Sequence, residues 1–151
     1  MRKLVTISAL IAFATTLSAA SPWVGTWKLN HTESKYTASA LPKDETIIIE
    51  EQGDDLQTIV TGTFADGSPI SLKYTLPKEG GTGQMQEGPF DAVSSKLINS
   101  HTRQVTYKKA GKPMRSSHSN VSEDGKILRA KVKGTDLEGK PVSGLLVFNK
   151  Q

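Results

Sequence analysis

The chain contains no cysteine, which excludes disulfides, thiolate catalysis and cysteine-ligated metal centres. Aromatic residues make up only 6% of it. No stretch after residue 21 shows the apolar spacing of an amphipathic helix. Strong charge of one sign is missing too. The formal charge is +4, and setting Arg2 and Lys3 aside leaves +2, too mild an excess to point to nucleic acid as a partner. Enzyme signatures are absent: there is no Gly-x-Ser-x-Gly, no phosphate loop and no His-Glu-x-x-His. The paired carboxylates Glu50-Glu51 and Asp54-Asp55 are sequence neighbours, so on a strand they point to opposite faces and build no acid/base pair. His31, His101 and His118 lie far apart without paired spacing, and neither a metal site nor a cofactor is expected. The sequence reads as a non-enzyme.

One uncharged apolar run is present, at the N-terminus. Met1-Arg2-Lys3 is followed by Leu4 to Leu17 and then by Ser18-Ala19-Ala20. A basic start, an apolar segment and small residues before Ser21 form the layout of a secretory signal peptide. The run falls short of the roughly 20 apolar residues a membrane-spanning helix needs. Residues 1–20 are therefore expected to be a signal peptide. Residues 21–151 would be a single exported domain, periplasmic or extracellular, with no membrane span in the mature protein.

Beyond it, period-two alternation and turn signals recur at short intervals. Trp23 to Leu29 reads as a first strand and Thr46 to Glu51, centred on Ile47-Ile48-Ile49, as a second. Ile70, Leu72, Tyr74 and Leu76 share one face of a later strand. Gly67-Ser68-Pro69, Gly111-Lys112-Pro113 and Gly139-Lys140-Pro141 repeat one turn design: glycine accepts a tight turn, and proline suits the first residue of a strand. Three hairpins follow, 56–63 with 69–76, 102–109 with 113–122, and 126–135 with 142–150. The segment 60–71 is echoed by 132–143, six of twelve positions being identical, which fits either a duplicated half-barrel or shared hairpin chemistry. Residues 30–43 and the glycine-rich stretch 77–89 read as irregular, the latter as a long loop or one poor strand. A meander of about nine strands manages its edges most simply by closing on itself. The expected fold is all-β: an antiparallel up-and-down β-barrel of about 8–10 strands.

The opening Trp23-Val24-Gly25-Thr26-Trp27-Lys28-Leu29-Asn30 resembles the first strand of calycin-type barrels, which begins with Gly-x-Trp. Residues 22–151 as a whole are similar to bacterial exported lipocalin-like proteins, whose Asp-Gly-Lys turns match Asp124-Gly125-Lys126. The resemblance implies a lipocalin-like barrel in which Gly25 and Trp27 close the base, the tryptophan under a basic side chain from a late strand. The last strand departs from the fatty-acid-binding proteins. Leu146 and Phe148 stand where those proteins carry the Arg-x-Tyr pair that grips a carboxylate.

The strand from Met114 to Ser122 is polar on both faces. Unless this is a solvated edge strand, either His118 with Ser116, or Arg115 with Ser117, looks into the barrel. The candidate ligand-binding residues are Arg103, Tyr107, His118 and Tyr74, a few convergent polar groups in a mostly apolar pocket. An inward Arg103 needs a partner such as Glu50 or a bound anion. Three functions fit: binding or carriage of a small hydrophobic or amphipathic molecule, an interaction or inhibitor role using the loops at 30–43 and 77–89, or a barrel-pocket enzyme in which Arg103, Tyr107 and His118 converge. The first is preferred, with a small-molecule ligand as the expected partner.

Overall fold

A computed structural model describes residues 20–36 and 42–151. The segment expected to be a signal peptide, Ala20 apart, and the middle of the first irregular stretch lie outside the described residues. Twelve strands form one antiparallel sheet: β1 (Gly25–Leu29), β2 (Lys35–Tyr36), β3 (Pro42–Gln52), β4 (Asp55–Phe64), β5 (Pro69–Pro77), β6 (Gly80–Thr82), β7 (Gln84–Glu87), β8 (Ala92–Asn99), β9 (Thr102–Lys109), β10 (Lys112–Val121), β11 (Ile127–Thr135) and β12 (Pro141–Lys150). Their order around the wall is β6-β8-β9-β10-β11-β12-β1-β3-β4-β5-β7, with β2 on β12. Nine strands are long and meander up and down, while the short β6 and β7 lie at the two margins and the short β2 lies on β12. The result is a nearly closed, lipocalin-like antiparallel barrel.

The three hairpins form as the turn chemistry predicts. β4 pairs β5 from Asp55↔Pro77 to Thr63↔Pro69, β9 pairs β10, and β11 pairs β12 from Ile127↔Asn149 to Thr135↔Pro141. Each of these prolines opens or ends its strand, where its missing N–H costs the ladder little. Residues 30–36 of the first irregular stretch are more ordered than their composition suggests. The Asn30 side chain accepts from the Thr32 and Glu33 amides, at 3.1 and 3.3 Å, and turns the chain. The Ser34 hydroxyl then takes the place of a ladder carbonyl by accepting from the Val147 amide at 2.9 Å. β1 and β2 are thus two pieces of one broken strand running along β12.

The glycine-rich stretch holds two short strands where one poor strand or a loop was expected, and it closes the barrel. β6 pairs β8, with Gly81 opposite Ser95, and β7 pairs β5, with Tyr74 opposite Met85. Gly83 is the crossing point and donates its amide to Val93 O at 2.9 Å. A Cβ there would lie 2.2 Å from the Thr75 carbonyl oxygen, so only glycine lets the chain pass from one margin to the other.

The core divides along the barrel axis. One end packs Trp23, Trp27, Leu56, Val121, Leu128 and Phe148, where each fully buried large side chain contributes about 1.5–3 kcal/mol. Trp27 is 0% exposed. Its indole donates to Trp23 O at 2.9 Å, and Lys150 Nζ sits 5.1 Å from the centre of its ring system. A Cβ on Gly25 would come within 2.4 Å of the Lys150 stem, so Gly25 leaves room for the lysine that covers the tryptophan. The opposite end is bounded by the turns 65–68 and 136–140 and stays open.

Candidate functional site

The interior follows from strand alternation. Ile47 and Ile49 on β3, Leu56, Thr58 and Val60 on β4, and Ile70, Leu72, Tyr74 and Leu76 on β5 face the same space as Leu128, Ala130 and Val132 on β11. This space is a cavity of about 690 Å³, within the range of small-molecule sites. Its walls are mostly aliphatic. The charged groups that the strands place in it are Glu45, Arg103 and Arg115, and at the mouth the turns add Asp66, Asp136, Glu138 and Lys140.

Three of the four candidate binding residues meet inside the barrel. Tyr74 and Tyr107 touch through their hydroxyls at 3.0 Å, with the rings edge to face and 5.7 Å between centroids. Phe90 packs on Tyr107 at 5.2 Å. Burial raises the pKa of both tyrosines, with their mutual hydrogen bond lowering Tyr74 and raising Tyr107, so both stay protonated and neutral at physiological pH. Arg103 is 4% exposed. It lies under this pair at the tryptophan end, its guanidinium 5.6 Å from the Trp23 ring and donating to Lys78 O.

His118 does not join them. On β10 the side chains that line the cavity are Arg115, Ser117 and Ser119, whereas His118 is exposed on the outer wall between Gln104 and Lys131. The two registers left open by the polar strand are resolved by packing. Ser117, between Val105 and Val132 across the sheet, faces the cavity and shares its hydroxyl with Ser119 at 2.9 Å. The convergence of Arg103, Tyr107 and His118 that an enzyme reading needed is therefore not formed. Glu50, the suggested partner of Arg103, is likewise exposed. The stretch 77–89, offered as a free interaction loop, is tied down by β6 and β7.

Two further groups belong to the site. Glu45 shares parity with Ile47 and Ile49 and so continues the inner row of β3. The alternation was readable, but the β-branched run that marks the strand begins only at Thr46. Burial pushes the Glu45 carboxyl up to about 7, with the Arg115 charge pulling it down. Arg115 lies 5.6 Å from the Phe90 ring. Among the described residues, neither Glu45 nor Arg115 is part of an ion pair. Tyr36 from β2 completes the rim, its pKa raised by burial, its ring close over Gly144. The buried side-chain polar atoms lacking a hydrogen-bond partner among the described residues are Ser95 Oγ, Arg103 Nε and Arg115 Nε. All three belong to inner-face residues of β8, β9 and β10. A buried polar group without a partner costs about 1–3 kcal/mol, so these atoms call for water or a bound group at this wall.

No helix among the described residues is long and apolar enough to cross a membrane. No family model matches the chain, and no curated protein matches it. Among solved structures, one described as "Structure of EF1p2_mFAP2b bound to DFHBI" is similar over 88% of this chain and 97% of that chain, with 13% sequence identity and a TM-score of 0.47.

Proposed function

We propose that this protein binds and carries a small hydrophobic or amphipathic molecule enclosed in its barrel, acting by binding and not by turnover. The observation that carries this reading is the cavity itself. A barrel that only needed to be stable would fill its interior with side chains, whereas this one leaves about 690 Å³ behind aliphatic walls. Tyr74, Tyr107, Arg103, Arg115 and Glu45 supply the few polar contacts that orient a ligand in such a space. The sequence pattern of residues 1–20 supports export, so the carrier would work in the periplasm or outside the cell.

Native mass spectrometry of the protein, purified from the compartment it reaches, tests the reading. A small molecule that co-purifies and is lost on denaturation supports it and gives the ligand's mass. The same preparation reports whether the chain begins at Ser21. A cavity-filling variant, Ala130→Trp, is expected to weaken uptake of an apolar fluorescent probe at least about tenfold. Unchanged uptake in a folded Ala130→Trp protein would mean that the probe sits elsewhere.

A further inference from the structure

Resting on the enclosure reading, the geometry points to an anionic head group as the part of the ligand that goes in first: we propose that the barrel takes an amphipathic carboxylate and seats its oxygens on Arg103 at the tryptophan end.

The argument starts from charge balance. Arg103 is buried, and burial works against its charged form, with the neighbouring Tyr74 and Glu79 favouring it. A guanidinium taken out of water needs a carboxylate or an equivalent anion. None is within reach on the adjoining wall, because β8 through β12 contain no aspartate or glutamate at all. Glu79 acts only at a distance and is itself exposed. Among the described residues, Arg103 is in no ion pair.

The side chain is nevertheless held in place. Lys78 O takes one terminal nitrogen, Trp23 lies beside the plane, and Ser119 stands opposite across the β9–β10 pair. That leaves Nε without an acceptor. Arg103 lines both the main cavity and a smaller space of about 240 Å³ beneath it, where Trp23 and Leu56 are joined by two carboxylates, Glu79 and the Lys78-paired Glu51, neither of which forms an ion pair with Arg103. It is thus the polar part of the cavity floor. Arg115 is the other inward cation, paired across the sheet with Tyr107, four residues and about 13 Å along the strand from Arg103. It already has the Glu45 carboxyl in its field, so Arg103 is the less compensated of the two. Between these levels lie Val105, Ala130 and Leu146, an apolar band for the body of the molecule. The mouth carries Asp66, Asp136 and Glu138 against one lysine, Lys140, which is paired with Glu138, and the remaining negative charge disfavours an anionic group resting there.

The test compares 1-pyrenebutanoic acid with its uncharged analogue 1-pyrenebutanol, by fluorescence titration of the full-length protein at pH 8. The wild type is expected to bind the acid about tenfold or more tightly than the alcohol, the scale of one charge-assisted bidentate contact. Arg103→Met should abolish that preference and leave alcohol binding within about twofold, while Arg103→Lys should retain part of it. Arg115→Met should keep most of the preference. Equal binding of acid and alcohol by the wild type overturns the inference while leaving enclosure intact, and this comparison needs no variant to fold. Loss of the preference in Arg115→Met and not in Arg103→Met also overturns it. Binding of neither probe would overturn the enclosure reading and this inference with it.

Discussion

The strand triplet β3–β4–β5 and the triplet β10–β11–β12 are built to one plan and finished differently. In each, the middle and last strands form one of the two echoed hairpins, and in each a glycine at the matching place on the middle strand lies against a carbonyl of the first. Gly62 faces Asp44 O and Gly134 faces Met114 O. Opposite those glycines stand Glu45 and Arg115. Equivalent positions thus carry opposite charges into one cavity. The rows below them diverge as well: Ile47 and Ile49 follow Glu45, while Ser117 and Ser119 follow Arg115. The difference teaches that the repeated part of the sequence secures the shape of the wall. The chemistry is set by the strand that precedes each hairpin, where the echo does not extend.

That comparison breaks most severely at the glycines. Gly134→Ala is expected to cost about 3 kcal/mol or more, because its Cβ would lie 2.1 Å from Met114 O and its φ is +148°. Gly62→Ala, with a similar clash at 2.2 Å but no positive φ, should cost less, about 2 kcal/mol. Urea denaturation of the two variants measures both, and a larger cost at Gly62 would contradict the equivalence argued above.

The next effect is a pH dependence on the acidic side alone. The unfolded chain ionises Glu45 near the ordinary carboxylate value, whereas the folded chain does so only at about 7. Between those points the folded state holds a proton that the unfolded state lacks, so stability falls as pH rises through this window and levels off above it. The contribution is on the order of 2–3 kcal/mol. Glu45→Gln should remove it, as read by denaturation midpoints from pH 4 to 8. Arg115→Gln should shift the Glu45 titration further upward, because the cation that pulls it down is gone.

Smaller effects separate the two ends and the two faces of the wall. Lys150→Ala uncovers Trp27 and should cost about 0.5–1 kcal/mol, visible as a lower thermal midpoint without a change in probe binding. His118→Ala, on the outer face of β10, should change stability by less than about 0.5 kcal/mol and leave probe affinity untouched. A loss of binding in that variant would place the ligand outside the barrel.

Much of this architecture was legible in the sequence. The Gly-x-Pro turns fixed three hairpins with nearly correct ends, since glycine and proline act locally and need no knowledge of the partner strand. The inner rows of β5 and β11 were readable from alternation because Ile70, Leu72, Leu76, Leu128 and Val132 leave no doubt about their face. β10 was not, because serine, histidine and arginine are tolerated on either side. Its orientation is decided by Val105 and Val132 on the neighbouring strands, information that is non-local. Tyr74 was readable as inward from parity on an apolar strand, while Arg103 and Tyr107 were placed only on the face they share with Val105. Glu45 was missed because a charged residue ahead of an isoleucine run reads as the end of a strand rather than its inner row. The role of residues 80–87 was hidden for a related reason: glycine lacks a side chain to reveal which face or which partner it serves.

Gly83 gives the cylinder an unusual mechanical property. In a wall closed by one unbroken ladder, the rungs must fail together. At this margin the rungs belong to two different neighbours, β8 on one side of the crossing and β5 on the other, with three paired positions each. One set can part while the other holds, so the barrel has a soft side. Amide exchange should show it, with Thr82 and Met85 opening well ahead of β11, whose partners on both flanks run its whole length. A molecule too broad for the mouth would therefore meet its least resistance sideways, between β5 and β8.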